Sequence, residues 1–281
     1  MFFYVVIAML RVVLCFFVSL FALSLFGQSE NFRSRSALGI TGGGSYYIGD
    51  LNQYGHFKNT NLSGGLIYCY YVNSRLELRA NFTYAQVKAD DADSDIGIHQ
   101  SRNLSFQSDI WELGSGIEFN YLNYKLGDMK YFFTPYMFIE LGVSRINPQA
   151  EYNGELIDLQ PLGTEGQGSS LNSKDPYSLT QIVIPFGVGF KINISKRIAF
   201  SVEYGLRKMF TDFLDDVGGS YVNSDVLLLE NGNLAAQLAD RSLGEARAYG
   251  PRGNSATKDW YSTFGATLSF SLGKPGKCFF H

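Results

Sequence analysis

Between Ile198 and Thr211 the chain alternates between two chemistries. Ile198, Phe200, Val202, Tyr204, Leu206 and Phe210 fall on one side of a period of two, while Ala199, Ser201, Glu203, Gly205, Arg207 and Thr211 fall on the other. A period of two marks an extended strand, because successive side chains point to opposite faces of a sheet. The run is also far longer than the roughly five or six residues usual in soluble sheets. A chain like this must build a sheet whose two faces meet very different surroundings.

The pattern recurs. Ile182, Ile184, Phe186, Val188, Phe190 and Ile192 oppose Gln181, Gly187, Gly189 and Lys191. Trp111, Leu113, Ile117, Phe119 and Tyr121 oppose Glu112, Gly114, Glu118 and Asn120. Leu76, Leu78, Ala80, Phe82 and Tyr84 oppose Arg75, Glu77, Arg79, Asn81 and Thr83. Weaker copies occupy residues 37–48, 62–72, 130–146 and 260–272. The sum is eight strands of about ten residues, the length with which a tilted strand crosses a bilayer.

Charge decides which face is inside. A soluble sandwich would turn its polar face to water and fill it with Lys, Glu and Arg; here that face mixes Gly, Ser, Thr and Asn with a few charges of both signs. Tyr and Trp sit among the apolar set, as at the interfaces of a membrane barrel. Lys208 breaks the apolar face only near a strand end, where it can snorkel.

Connections of residues 72–75, 123–129 and 193–197 are short, those of 49–61, 89–105, 147–178 and 213–259 are long, and the two kinds alternate along the chain. The expected fold is therefore all-β: an eight-stranded antiparallel transmembrane β-barrel over 37–272, with long outward loops and short periplasmic turns.

Ahead of the barrel, Arg11 precedes an apolar run and polarity returns at Gln28. Residues 1–27 read as a secretory signal peptide, with a membrane anchor as the competing reading. Residues 28–36 form a short N-terminal segment and 273–281 a periplasmic tail. Export implies the outer membrane of a Gram-negative bacterium, with outer-membrane lipid as a partner. The net charge of −3 announces no surface for nucleic acid.

An eight-stranded barrel is filled by side chains. Glu77, Arg79, Glu112, Glu118, Glu140, Lys191, Glu203 and Arg207 are the charges expected in this lumen. Buried charge must be paired, so a salt-bridged structural plug is expected, with a proton or ion path as the alternative. The run Asp90–Asp95 lacks the glycine and bidentate glutamate of a calcium loop and reads as a solvated acidic loop.

His99 and Ser101 echo the His-x-Ser pair of some small outer-membrane lipid deacylases, but they fall in a long loop instead of a strand. The sequence offers no metal-ligand spacing, no cofactor motif and no evident small-molecule substrate. Cys69 and Cys278 are expected as free thiols, with a disulfide as the alternative in an oxidising compartment. The long loops carry Leu156, Ile157, Leu159 and Leu162, too apolar for plain disorder, so a folded cap or docking surface is expected.

Six stretches bear a wider likeness: "GSYYIGDLN", "RNLSFQSDIWELG", "DLQPLGTEGQG", "IPFGVGFKINIS", "EYGLRKMFTDFLDDV" and "LADRS" with "RGN" and "DWY". Together they resemble the PorG-like outer-membrane β-barrel family of the type IX secretion system. That resemblance implies a non-enzymatic component of protein secretion that contacts periplasmic ring proteins, with no cofactor. A stand-alone envelope-stabilising or adhesin-type barrel is the alternative reading, followed by a lipid-modifying enzyme.

Overall fold

The structure is a computed structural model and describes residues 35–272 apart from 54, 173 and 244–249. The expected signal peptide, most of the short segment after it, and the tail with Cys278 lie outside the described residues.

Eight long strands form the wall: β1 (Arg35–Ile48), β2 (Asn61–Tyr71), β3 (Leu76–Asp90), β4 (Ser105–Asn120), β5 (Phe133–Arg145), β8 (Thr180–Asn193), β9 (Ile198–Met209) and β10 (Trp260–Ser271). Each pairs antiparallel with its chain neighbour, and β1 pairs with β10 from Ala37↔Ser271 to Ile48↔Trp260. The sheet therefore has no open edge around the ring, which satisfies every ladder hydrogen bond without water. A short hairpin, β6 (Pro148–Tyr152) and β7 (Glu155–Asp158), extends the sheet beyond β4. No helix among the described residues is long and apolar enough to cross a membrane, which leaves open a crossing by the strands of the barrel.

Along the middle of the wall the apolar set faces outward. Leu113 and Leu141 are each 64% exposed, whereas Glu112 is 1% and Glu140 3% exposed. Water would not tolerate such an exterior as one continuous belt, and lipid would. Lys208 lies on this outer face at its upper end, with its Nζ 4.9 Å from the Trp260 ring centre.

Above the belt the chemistry inverts while the strand phase continues. Along β3, Tyr84 points out and Glu77, Arg79 and Asn81 point in; beyond it Ala85, Val87 and Ala89 point in while Gln86, Lys88 and Asp90 point out. Strand β4 does the same, with inward Phe106 and Ile110 before outward Trp111. These inward residues join Tyr47, Ile146, Val183, Met209, Leu214 and Tyr261 in one apolar cluster that closes the upper barrel. A wholly polar interior, as expected from the alternation, is thus corrected: the polar lumen ends partway up, and the strands continue above it as an ordinary apolar core. Strands β3 and β4 rise higher than the sequence pattern marks them, because beyond the membrane the polar side is the wet one.

The end of the barrel opposite the long loops is plugged differently. The connection after β4 tucks Tyr124 and Leu126 beneath the lumen, and Tyr124 Oη donates to Asn193 Oδ1 at 2.5 Å.

Candidate functional site

All eight charges expected in the lumen point inward, and they fall into linked groups. Arg79 is the hub. Its Nε lies 2.5 Å from Glu140 Oε1, and its Nη1 lies 3.0 Å from Glu118 Oε2 and 2.8 Å from Glu203 Oε2. The guanidinium plane stands 4.0 Å from the Phe138 ring centre. Lys191 sits below, paired with Glu77 and, at 2.5 Å, with Glu118, and ringed by Tyr71, Tyr124 and Tyr136. Glu118 therefore ties the two cations into one network. Arg207 lies 3.7 Å from Glu112, which also accepts from Tyr261 Oη at 2.5 Å.

Neutral groups add further bonds to these carboxylates, although Glu77 Oε2 and Glu112 Oε1 are buried without a hydrogen bond among the described residues. Asn81 bonds Glu140, Asn120 donates to Glu77 at 2.5 Å, and Tyr136 donates to Glu203 at 3.1 Å. Glycine makes the room: a Cβ at Gly114 would stand 2.7 Å from Glu140 Oε2, and one at Gly205 would stand 2.7 Å from Arg207 Nη1. A cavity of about 30 Å³ lies in this layer beside Arg79, Asn81 and Glu203. The layer is a packed plug.

A second buried polar cluster lies in the cap, where the long loops fold together with the helices α1 (Gly97–Arg102), α2 (Ser224–Glu230) and α3 (Asn233–Ala239). Arg102 makes a fork to Asp91, both bonds 2.7 Å, and reaches the Asp50 and Arg252 carbonyls at 3.0 and 2.8 Å. Arg252 lies 3.2 Å from Glu165 and 3.6 Å from Asp216. Glu165 Oε1 accepts the backbone N–H groups of Gly218 and Gly219, and Asp216 accepts from Thr164 and, at 2.7 Å, from Tyr177. Around this cluster Leu159, Ala150 and Leu238 pack with Ile157, Leu162 and Leu234.

Asp91 corrects the expectation of a solvated acidic loop at 90–95. It is fully buried against Arg102, while Asp93 pairs with Asn59 at 2.8 Å. Among the described residues no group of three or more His, Cys, Asp or Glu is placed to hold a metal ion.

His99 and Ser101 lie on α1, two positions apart, which sets them on different sides of a helix. His99 Nδ1 instead faces Ser94 Oγ at 3.3 Å. Burial, and then the Arg102 charge, hold its imidazole below the ordinary range. Cys69 points into the lumen and is buried.

The hairpin of β6 and β7 has no counterpart in the sequence reading. Its signal was present as Asn153-Gly154, whose φ of 53° and 84° form the two-residue turn that suits a twisted hairpin.

Beside the cap, Tyr47 Oη lies 2.5 Å from Asp215 Oδ2 and 2.9 Å from Asp259 Oδ1. A phenol has one proton to donate, so holding both contacts requires one carboxyl to carry a proton. Burial, and for Asp215 next the neighbouring Asp259 charge, pushes both carboxyls well above the usual range. Asp212 and Asp216 are each pushed up to about 6, chiefly by burial.

Raised carboxyl values mean that the folded cap holds more protons than the unfolded one. Its extra stability is complete below about pH 4 and is lost as pH rises through the folded values. Hydrogen exchange at Leu214, Val217 and Gly218, corrected for intrinsic rates, should therefore show falling protection between pH 4 and pH 7. Asp215→Asn should flatten that fall, and an unchanged slope would remove the shared proton from the account.

Three comparisons place the chain. No curated protein matches it. Solved structures similar to it include the attachment invasion locus protein Ail of Yersinia pestis, at TM-score 0.42 and 9% identity, covering 86% of this chain and 100% of that one. Neisserial surface protein A is similar at TM-score 0.39 and 9% identity, covering 84% and 96%. The outer membrane protein OprG from Pseudomonas aeruginosa is similar at TM-score 0.36 and 10% identity, covering 84% and 94%. At these scores the likeness adds nothing to the strand pairing, which by itself establishes the barrel. The profile of a family described as a domain of unknown function, DUF6089, matches residues 14–241, from before the first strand through the third cap helix. On that match, the chain belongs to the DUF6089 family.

Proposed function

We propose that this chain is a non-enzymatic outer-membrane barrel that serves as a structural, anchoring component of a type IX protein secretion apparatus, its short turns facing periplasmic ring proteins. The observation that carries the non-enzymatic part is where the polar residues are spent. The lumen charges pair with one another, and Asp50, Arg102, Glu165, Asp215, Asp216, Arg252 and Asp259, drawn from most of the quoted stretches, are buried in the cap. They build the molecule, and the one base and nucleophile the sequence suggested, His99 and Ser101, lie on different sides of α1.

The apolar belt supports insertion in a bilayer, and the β-strand mode of crossing supports the outer membrane. The secretion role is supported by the resemblance of the quoted stretches to PorG-like barrels. The signal peptide at 1–27 belongs to the same proposal.

Affinity purification of the native protein in mild detergent tests it. Periplasmic ring proteins should co-purify in fixed ratio. Recovery of the barrel alone would overturn the anchoring role and favour the stand-alone barrel, which the exposed apolar side chains of the cap, Leu229 at 83% and Leu243 at 71% exposed, also support.

A further inference from the structure

A cleft of about 290 Å³ opens on the outer side of the wall, where β3 and β4 rise above the belt and the β6–β7 hairpin continues their sheet. Its floor is made by ladder partners: Lys88 lies across from Gln107, which lies across from Gln149, and Glu151 lies across from Leu156. Asn59 and Asp93 form one wall, joined by their 2.8 Å hydrogen bond.

Two features make this a prepared surface. Gln149 is held by Asp158 at 2.7 Å, and Asp90 accepts from the Ala92 N–H at 2.9 Å, so part of the rim is fixed. The side chains of Lys88, Gln107 and Glu151, by contrast, converge on the cleft without a hydrogen-bond partner among the described residues. An amine, an amide and a carboxylate offer donors and acceptors together.

Charge and polarity select the ligand. Asp90, Asp93 and Glu151 outnumber Lys88, which disfavours phosphate and other anions. Leu156 and the edges of Ala89 and Phe106 are too little apolar surface for an acyl chain. Amides and carboxylates beside a small apolar patch suit vicinal hydroxyls, and the volume suits one or two sugar rings, at the small end of ligand sites.

Height points the same way. Tyr84 and Trp111, tilted at 50° with ring centres 4.8 Å apart, mark the aromatic edge of the belt, and Gln107 stands four residues above Trp111. At about 3.4 Å per residue along a tilted strand, the cleft lies roughly 10 Å above that edge, level with headgroup sugars.

We propose that this cleft binds a neutral or amino saccharide, presented either as the sugar headgroup of an outer-leaflet glycolipid or as a free oligosaccharide. The proposal stands apart from any secretion role.

The test uses the full chain in nanodiscs. In one arm, phospholipid discs receive a neutral oligosaccharide (maltotriose) or an amino one (chitosan trisaccharide), read by saturation-transfer NMR; in the other, discs carry a neutral glycosyl diacylglycerol and co-purifying glycolipid is quantified. Signal in the first arm assigns a free-saccharide site, and signal in the second alone assigns a headgroup site. Either must fall at least tenfold in the Gln107→Ala/Glu151→Ala variant, whose changes lie on the outer face and leave the barrel's heat-modifiable mobility unchanged. Binding that survives the double substitution, no binding in both arms, or binding of oligolysine or inorganic phosphate in place of saccharide would overturn the proposal.

Discussion

Arg79→Ala should destabilise the barrel by about 3–5 kcal/mol, the usual loss when one member of a buried ionic cluster is removed. Glu118, Glu140 and Glu203 all converge on this guanidinium, and Arg79 itself is only 4% exposed. Without it three carboxylates, Glu118 and Glu140 among them buried, face one another without their shared cation. Arg79→Lys keeps the charge but cannot fork to Glu203 while reaching Glu140, so an intermediate loss is expected. Urea unfolding of the refolded barrel in lipid vesicles measures both. A loss below about 1 kcal/mol for Arg79→Ala, the range of exposed pairs, would mean that the lumen is wet and the plug reading is wrong.

The lipid face carries the second large effect. Val202 lies on β9 between Phe200 and Tyr204, opposite Ala266 of β10 and Phe190 of β8. Its neighbours on that face are apolar, so Val202→Arg should cost roughly 2–4 kcal/mol, as for a cation near the bilayer midplane. Ser201→Thr, one residue away on the lumen side, should assemble normally. Equal yields of folded protein from the two variants would place the strand in the opposite phase.

Much of this architecture is legible in the sequence, and the reason is physical. Lipid outside and paired charge inside force a chemical alternation on each strand, so the period along Ile198–Met209 shows both the strand and its orientation. The eight lumen charges are legible for the same reason: a charge in the middle of a strand must lie on the face turned away from lipid. What pairs with what is not legible, because Lys191 and Glu77 are 114 residues apart and meet only once the ring closes.

The upper barrel escapes the pattern because its rule changes partway along a strand. Ala85, Val87, Phe106 and Ile110 continue the inward phase of polar Asn81 and Glu112 but obey the logic of a soluble core. A reader following one rule ends the strand where the second begins. Helices α1, α2 and α3 are six or seven residues long, too short for a helical period to stand out, and they are held by the loops around them. Arg252 meets Glu165 and Asp216 from loops far apart in sequence, Arg102 meets Asp91 within its own loop, and nothing local separates these arginines from solvated ones.

Depth-resolved quenching by brominated lipids tests the central claim, an inverted barrel with lipid outside and a packed polar lumen. Single fluorescent labels at cysteines placed at 200, 201, 202 and 203 of the bilayer-refolded protein should quench strongly at 200 and 202 and weakly at 201 and 203. Uniform quenching, or strong quenching at 201 and 203, would contradict the account.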